Sequence, residues 1–303
     1  MDRRSFFKKG FGASLAVGGI LATGKYGKLL AYAPTPFDLV AVKGGEPDVM
    51  FDKGIAALGG MKAFVKKGQK VVVKPNIGWD VTPERAGNTN PKLVSRIIQH
   101  CYEAGAKEVY VVDHTCDDWQ DSYTHSGIER AVKDAKGKIA PGDAEGYYHD
   151  VSIPSGRALK SAKEHELILG ADVFINVPIL KNHEGASLTI AMKNLMGNVW
   201  DRRFWHRTDL HQCIADFATF RKPDLNIVDA YNVMKANGPR GVSVKDVVTM
   251  KAQLISTDII AVDSAAAKLF GVNPDDVRHI ALGAEMKIGR KDIEKLNIKR
   301  ITV

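Results

Sequence analysis

Cysteine is scarce in this sequence and follows no pattern. The 303 residues hold three, Cys101, Cys116 and Cys213, widely separated and without a C-x-x-C pair. That spacing excludes a zinc knuckle or an iron–sulfur cluster built from cysteine alone. An odd number excludes a complete disulfide framework but leaves one bridge open. Long hydrophobic runs are missing too. The Gly- and Ala-rich stretch from Gly10 to Gly24 falls short of the roughly 20 residues that a membrane-spanning helix needs. The phosphate-binding P-loop, the H-E-x-x-H metal motif and the nucleophile elbow do not occur. Repeats and low-complexity tracts are also lacking.

Charge of one sign is scarce beyond the start of the chain. The net charge is +8, yet Arg3, Arg4, Lys8, Lys9, Lys25 and Lys28 face only Asp2 in the first 33 positions, which leaves +3 for the rest. No basic tract with interleaved aromatics follows, so nucleic acid is not expected as a partner. The start reads as an address. Arg3-Arg4 followed by Phe6 and Lys8, then the apolar stretch, resembles a twin-arginine export signal over residues 1–33. The expected location is the periplasm or the outer face of the cytoplasmic membrane, with the twin-arginine translocase as a partner. Ala31-Tyr32-Ala33 fits the small-x-small cleavage rule, but Pro34 directly after it opposes cutting there.

What is present is an alternation of strand-like and helix-like segments. Residues 38–44, 70–76, 108–114, 171–178, 224–230 and 252–258 read as strands, and 299–303 as an edge strand. Residues 48–66 (interrupted at Gly59-Gly60), 91–106, 126–136, 187–197, 208–220, 259–270 and 274–285 read as helices. Residues 137–156 read as loops and short strands. Nearly continuous apolar strands between helices predict an α/β fold, a mostly parallel sheet with helices on both faces, in one domain over 34–303.

The polar residues fall where such strands end: Lys74 and Asn76, Asp113 and His114, Lys181 and His183, Asp229, Asp258. In an open parallel sheet these side chains gather at one rim, where α/β sheets bind ligands. Each also has a plainer reading. Asp258 suits a helix N-cap, Asp113 and Asp229 can accept backbone N–H groups, and His183 can be an ordinary loop histidine. Lys193 and Asn194 lie in "SLTIAMKNLMGN", which leaves few polar residues for a solvent face, and Gly197 invites a close backbone approach. The "NGPRG" turn can bring Arg240 and backbone N–H groups to an anion. His206 and His211 are weak metal candidates. They stand five residues apart, about 500° around a helix, so they do not share a face.

"VVVKPNIG", "TNPKLVSRIIQHCYEAGAKEVYVVD", "ADVFINVPILKNHEGASLTIAMKNLMGNV", "LNIVDA", "NGPRG" and "LISTDIIAVDSAAAKLFGVNPDDVRHI" together resemble, in order over about residues 38–285, the bacterial and archaeal domain of unknown function 362. The resemblance implies Lys74, Asn76, Lys181, His183, Lys193, Asn194, Asp229 and Asp263 as motif positions. It supplies no reaction. Members of that family often carry a cysteine-rich ferredoxin-like segment; these residues include none, so its clusters are not carried over.

The expectation is an exported protein with a polar Lys/His/Asp cleft for an anionic small molecule or a metal cofactor, with redox chemistry in view and a redox protein as partner. Lys74, Asn76, Lys181, Asn194, Asp229, Arg240 and Asp263 would bind, while His183 and Lys193 would act on the ligand. The alternatives are a non-catalytic carrier of a cofactor or metal for a redox complex and, ranked lower, a hydrolase or transferase. The sequence leaves open whether there is turnover, which metal is bound and how the chain oligomerises.

Overall fold

The computed structural model describes residues 36–303. The twin-arginine start, the apolar stretch after it and the Ala31–Ala33 motif lie outside the described residues. The strands are β1 (Leu39–Lys43), β2 (Lys70–Pro75), β3 (Glu108–Val111), β4 (Lys138–Ile139), β5 (Tyr148–Ser152), β6 (Ser161–His165), β7 (Val173–Val177), β8 (Ile179–His183), β9 (Ser187–Thr189), β10 (Leu225–Met234), β11 (Val247–Ser256) and β12 (Ile298–Thr302). The helices are α1 (Pro47–Ala57), α2 (Pro91–Glu103), α3 (Trp119–His125), α4 (Ile128–Asp134), α5 (Glu166–Leu169), α6 (Ala191–Asn194), α7 (Arg202–Arg207), α8 (Leu210–Phe217), α9 (Ile259–Phe270) and α10 (Arg278–Glu285).

Ten strands form one sheet in the order β12-β1-β11-β10-β7-β2-β3-β4, with β8 paired to β10 and β9 to β8; β5 and β6 form a separate hairpin. Most pairs are parallel, including β2 with β3 and β7, and β7 with β10. Residue alternation along these strands builds two cores. Val71, Val73, Ile175 and Ile227 face the layer of α1, α2 and α4, while Val72, Phe174 and Val228 face α6, α8 and α9. This is the period-two pattern of a sheet buried on both faces.

Local chemistry explains why the elements start and stop where they do. α2 opens on Asn90, whose side chain accepts from Lys92 N, with Pro91 at the first helical position. Its Leu93, Val94, Ile97, Ile98 and Cys101 are buried in one stripe, each large aliphatic contributing about 1.5–3 kcal/mol on burial. Gly105, at φ +103°, carries the chain away from the helix.

Two expectations need correction. β11 runs antiparallel to both β1 and β10, so Asp258 leaves the sheet at the opposite rim from Lys74. There it caps α9, accepting from Ile260 N and Ala261 N at 2.9 and 3.0 Å. The helix expected over 187–197 is instead a strand, a single α-turn and a 3₁₀ turn at Leu195–Asn198. Ser187 adopts φ +63° and Ile190 stays extended, which closes a β8–β9 hairpin and delays the helix. Lys181 and His183 therefore sit on β8 rather than in a loop.

Candidate functional site

The site grows from the ends of β2, β7 and β10. Lys74, Asn176 and Asn226 stand side by side in register on one face of the sheet. Lys74 is 1% exposed; its Nζ lies 2.8 Å from Asp113 Oδ1 and donates to Asn194 Oδ1 at 2.9 Å. Asp113 Oδ2 accepts from Ile77 N at 2.6 Å. Asn194 passes the contact inward: its Nδ2 donates to Asn176 Oδ1, Asn176 donates to Asn226 Oδ1, and Asn226 donates to the Ser256 carbonyl. A chain of amides thus satisfies the polar groups in the middle of the sheet, which would otherwise be costly to bury. Gly197 lies directly on the Lys74–Asp113 pair. A Cβ added there would fall on Asp113 Oδ1 and the Lys74 amine, so the close approach that its sequence position suggested is to this pair.

Lys181 comes from β8 and is also 1% exposed. Its Nζ donates to Asn76 Oδ1 at 3.1 Å and to the Gly87 carbonyl at 2.6 Å, both uncharged acceptors. Asn76 in turn donates to Asn194 Oδ1 at 3.0 Å, which links Lys181 to the Lys74 cluster. Burial, without a carboxylate in contact, pushes the Lys181 amine down to about 7. The loop over 76–90 that supplies these acceptors is pinned at its far end by Asp229, which accepts from Asn90 N at 2.7 Å and from Tyr231 N at 3.0 Å. Burial raises the Asp229 carboxyl to about 6 despite these two donors.

Lys193 is partly buried on α6. Among the described residues its amine makes no hydrogen bond and no ion pair, while its carbonyl accepts from Leu195 N. Burial lowers its amine to about 8; Cys116 and Asp113 oppose that shift, and Arg202 and Lys74 add to it. Arg202 donates to the His114 and Thr115 carbonyls at 2.8 and 2.7 Å, with its Nη1 at 3.7 Å from Cys116 Sγ. The α6 turn that aims Lys193 and Asn194 is held by Asp263, whose carboxylate accepts from Ala191 N at 2.7 Å and Met192 N at 3.0 Å. Asp229 and Asp263 thus fix backbone, and they reach the lysines only through the segments they hold.

The histidines divide. His183 Nδ1 accepts from Ala186 N at 3.1 Å. Burial and the neighbouring Lys193 and Lys181 charges push it down to about 2, so it stays neutral. The basic groups of the cluster that titrate near neutrality are instead the Lys181 and Lys193 amines, and burial raises the Asp263 carboxyl to about 7 as well. His206 is lowered by burial and by Lys193. His211 Nδ1 lies 3.2 Å from His279 Nδ1, the two rings stacked. Among the described residues no three His, Cys, Asp or Glu side chains are arranged to hold a metal ion. Arg240 is more than half exposed and pairs with Asp117 at 3.2 Å, outside the lysine cluster. All three cysteines are free thiols.

The structure therefore brings Lys74, Asn76, Lys181, Lys193 and Asn194 together, with His183 beside them. Sequence reasoning missed Arg202, Asn176 and Asn226. Asn176 carried a signal, as the single polar residue in the apolar run "VFINV". Arg202 carried none.

A thylakoid-associated protein of Synechocystis sp. is 26% identical over 77% of this chain and 72% of its own. Two solved structures align at low identity: the lactate racemase apoprotein of Thermoanaerobacterium thermosaccharolyticum (13% identity, TM-score 0.45, 70% of this chain and 53% of that one) and a structural-genomics protein of Thermotoga maritima (10%, TM-score 0.42, 80% and 60%). The chain thus spans little more than half the length of either structure. The family model described as a domain of unknown function (DUF362) matches residues 71–268, which include every lysine of the cluster, and the chain belongs to that family.

Proposed function

We propose that this protein binds an anionic small molecule at the lysine cluster. One observation carries the reading. Lys74, Lys181, Lys193 and Arg202 converge on a region with a single carboxylate in contact, Asp113, and Lys74 already holds that one. Buried cations without counter-charge are costly, and a site built this way lowers its free energy by taking a negative group. An anion beside Lys181 and Lys193 would restore their protons, and their amines could then give or take a proton close to neutral pH. Asn76 and Asn194 would orient the ligand, and His183, held neutral, would offer its Nε2 side.

Sulfate, whose charge does not change across the working pH range, is the first probe, with calorimetry as the readout. Lys193→Met should weaken its binding by roughly 10- to 100-fold, the value of one charge-assisted hydrogen bond. Unchanged affinity would remove the proposal. Export through the Arg3-Arg4 signal belongs to the same reading, and fractionation of the native host tests it. The thylakoid association of the Synechocystis relative favours a second reading, in which the bound anion is carried for a membrane-associated assembly and released unaltered. Mass analysis of the ligand before and after binding separates carriage from turnover.

A further inference from the structure

The lysine cluster shares a wall with a larger cleft. The segment His114–Cys116 and Arg202 line a cavity of about 860 Å³ that extends away from the sheet, between the β5–β6 hairpin and α7. Its other walls include Trp200, Phe204 and Trp205. His114 and Trp200 stack face to face, centroids 5.0 Å apart and planes within 4°. Burial pushes His114 down to about 4, so its ring is neutral and meets Trp200 as an aromatic surface. His114 is also fixed in place: its Nδ1 pairs with the Val199 carbonyl at 2.9 Å. Phe204 is 43% exposed in the same cleft, the one aromatic among the exposed large apolar side chains of the described residues.

The arrangement is bipartite. At one end Lys193 and Arg202 have no carboxylate partner among the described residues; at the other the Trp200 and Phe204 rings face the cleft, whose lining also includes Glu145, Asp150 and Asp201. Arg202 joins the two, held by two backbone carbonyls that leave its positive charge unneutralised. Resting on the anion reading above, we propose that the ligand is an aromatic or heteroaromatic acid. Its acidic group sits against Lys193 and Arg202, and its planar body lies along the Trp200 and Phe204 wall. An aliphatic acid would fill the same volume but forgo the ring-on-ring contacts, which are worth about 0.5–1.5 kcal/mol for each pair.

The test uses the full chain and three probes followed by calorimetry and tryptophan fluorescence: sulfate, naphthalene-2-carboxylate, and its saturated decalin analogue of equal charge and similar size. The expected result is that the naphthoate binds about tenfold tighter than the decalin acid, as one or two ring contacts require, and quenches tryptophan emission. Phe204→Ala, a change at an exposed position, should shrink that ratio toward one. Sulfate binding with equal affinities for the two organic acids would overturn this inference and leave the anion site standing. A preference that survives both Phe204→Ala and Trp200→Leu would also overturn it. Failure of sulfate to bind would remove the anion site and this inference with it.

Discussion

Lys193 and Lys181 look alike in the sequence but do different work in the structure. Lys181 is fully buried and satisfied by neutral oxygens, so its proton is what the fold disfavours. Its amine falls from 10.5 in the unfolded chain to about 7 in the folded one. The unfolded chain therefore binds the extra proton between those values, and stability from this group rises as pH rises through that window. Urea titrations of wild type and Lys181→Met should show wild type gaining on the variant from pH ~7 to ~10.5; a constant difference would mean the amine keeps its proton. Gly197 makes a separate prediction. Gly197→Ala must displace the Lys74–Asp113 pair, and breaking a buried pair costs about 3–5 kcal/mol. A denaturation midpoint equal to wild type would show that the pair can move aside.

At the scale of elements, the short α6 turn decides the site. A four-residue helix has little stability of its own. It is held by Asp263 of α9, which receives two of its backbone N–H groups. Asp263→Asn keeps the size but leaves a single acceptor oxygen, so one N–H loses its partner at about 1–3 kcal/mol. Sulfate affinity should fall with stability, because Lys193 and Asn194 ride on that turn; affinity unchanged despite lower stability would separate α6 from the site. The strands and longer helices were legible in the sequence because period-two and helical stripes write burial directly, as in β2 and α2. The α6 region was not. Its apolar residues fit either period, and the β8–β9 hairpin that preempts the helix depends on the positive φ of Ser187. Asp229 was legible as an acceptor of backbone N–H groups, but no pattern in the chain says that Asn90 N is one of its donors or that Ala191 N and Met192 N are those of Asp263.

At the scale of the whole molecule, the parallel sheet collects Lys74, Asp113 and Lys181 at one rim, as its topology dictates. Strand β11, antiparallel to both of its neighbours, removes Asp258 from that rim, and strand direction is not written in composition. The result is local positive charge in a chain whose net charge beyond residue 33 is only +3. The most direct measurement is sulfate binding by calorimetry at pH ~6.5 and ~9.5, each in two buffers of different ionisation enthalpy, since depressed lysines couple binding to proton uptake. The account predicts that affinity falls at the higher pH and that protons are taken up on binding at pH ~9.5 much more than at ~6.5, because only at the higher pH have Lys181 and Lys193 lost the protons they need to hold the anion. Affinity independent of pH, with no proton uptake, would contradict it.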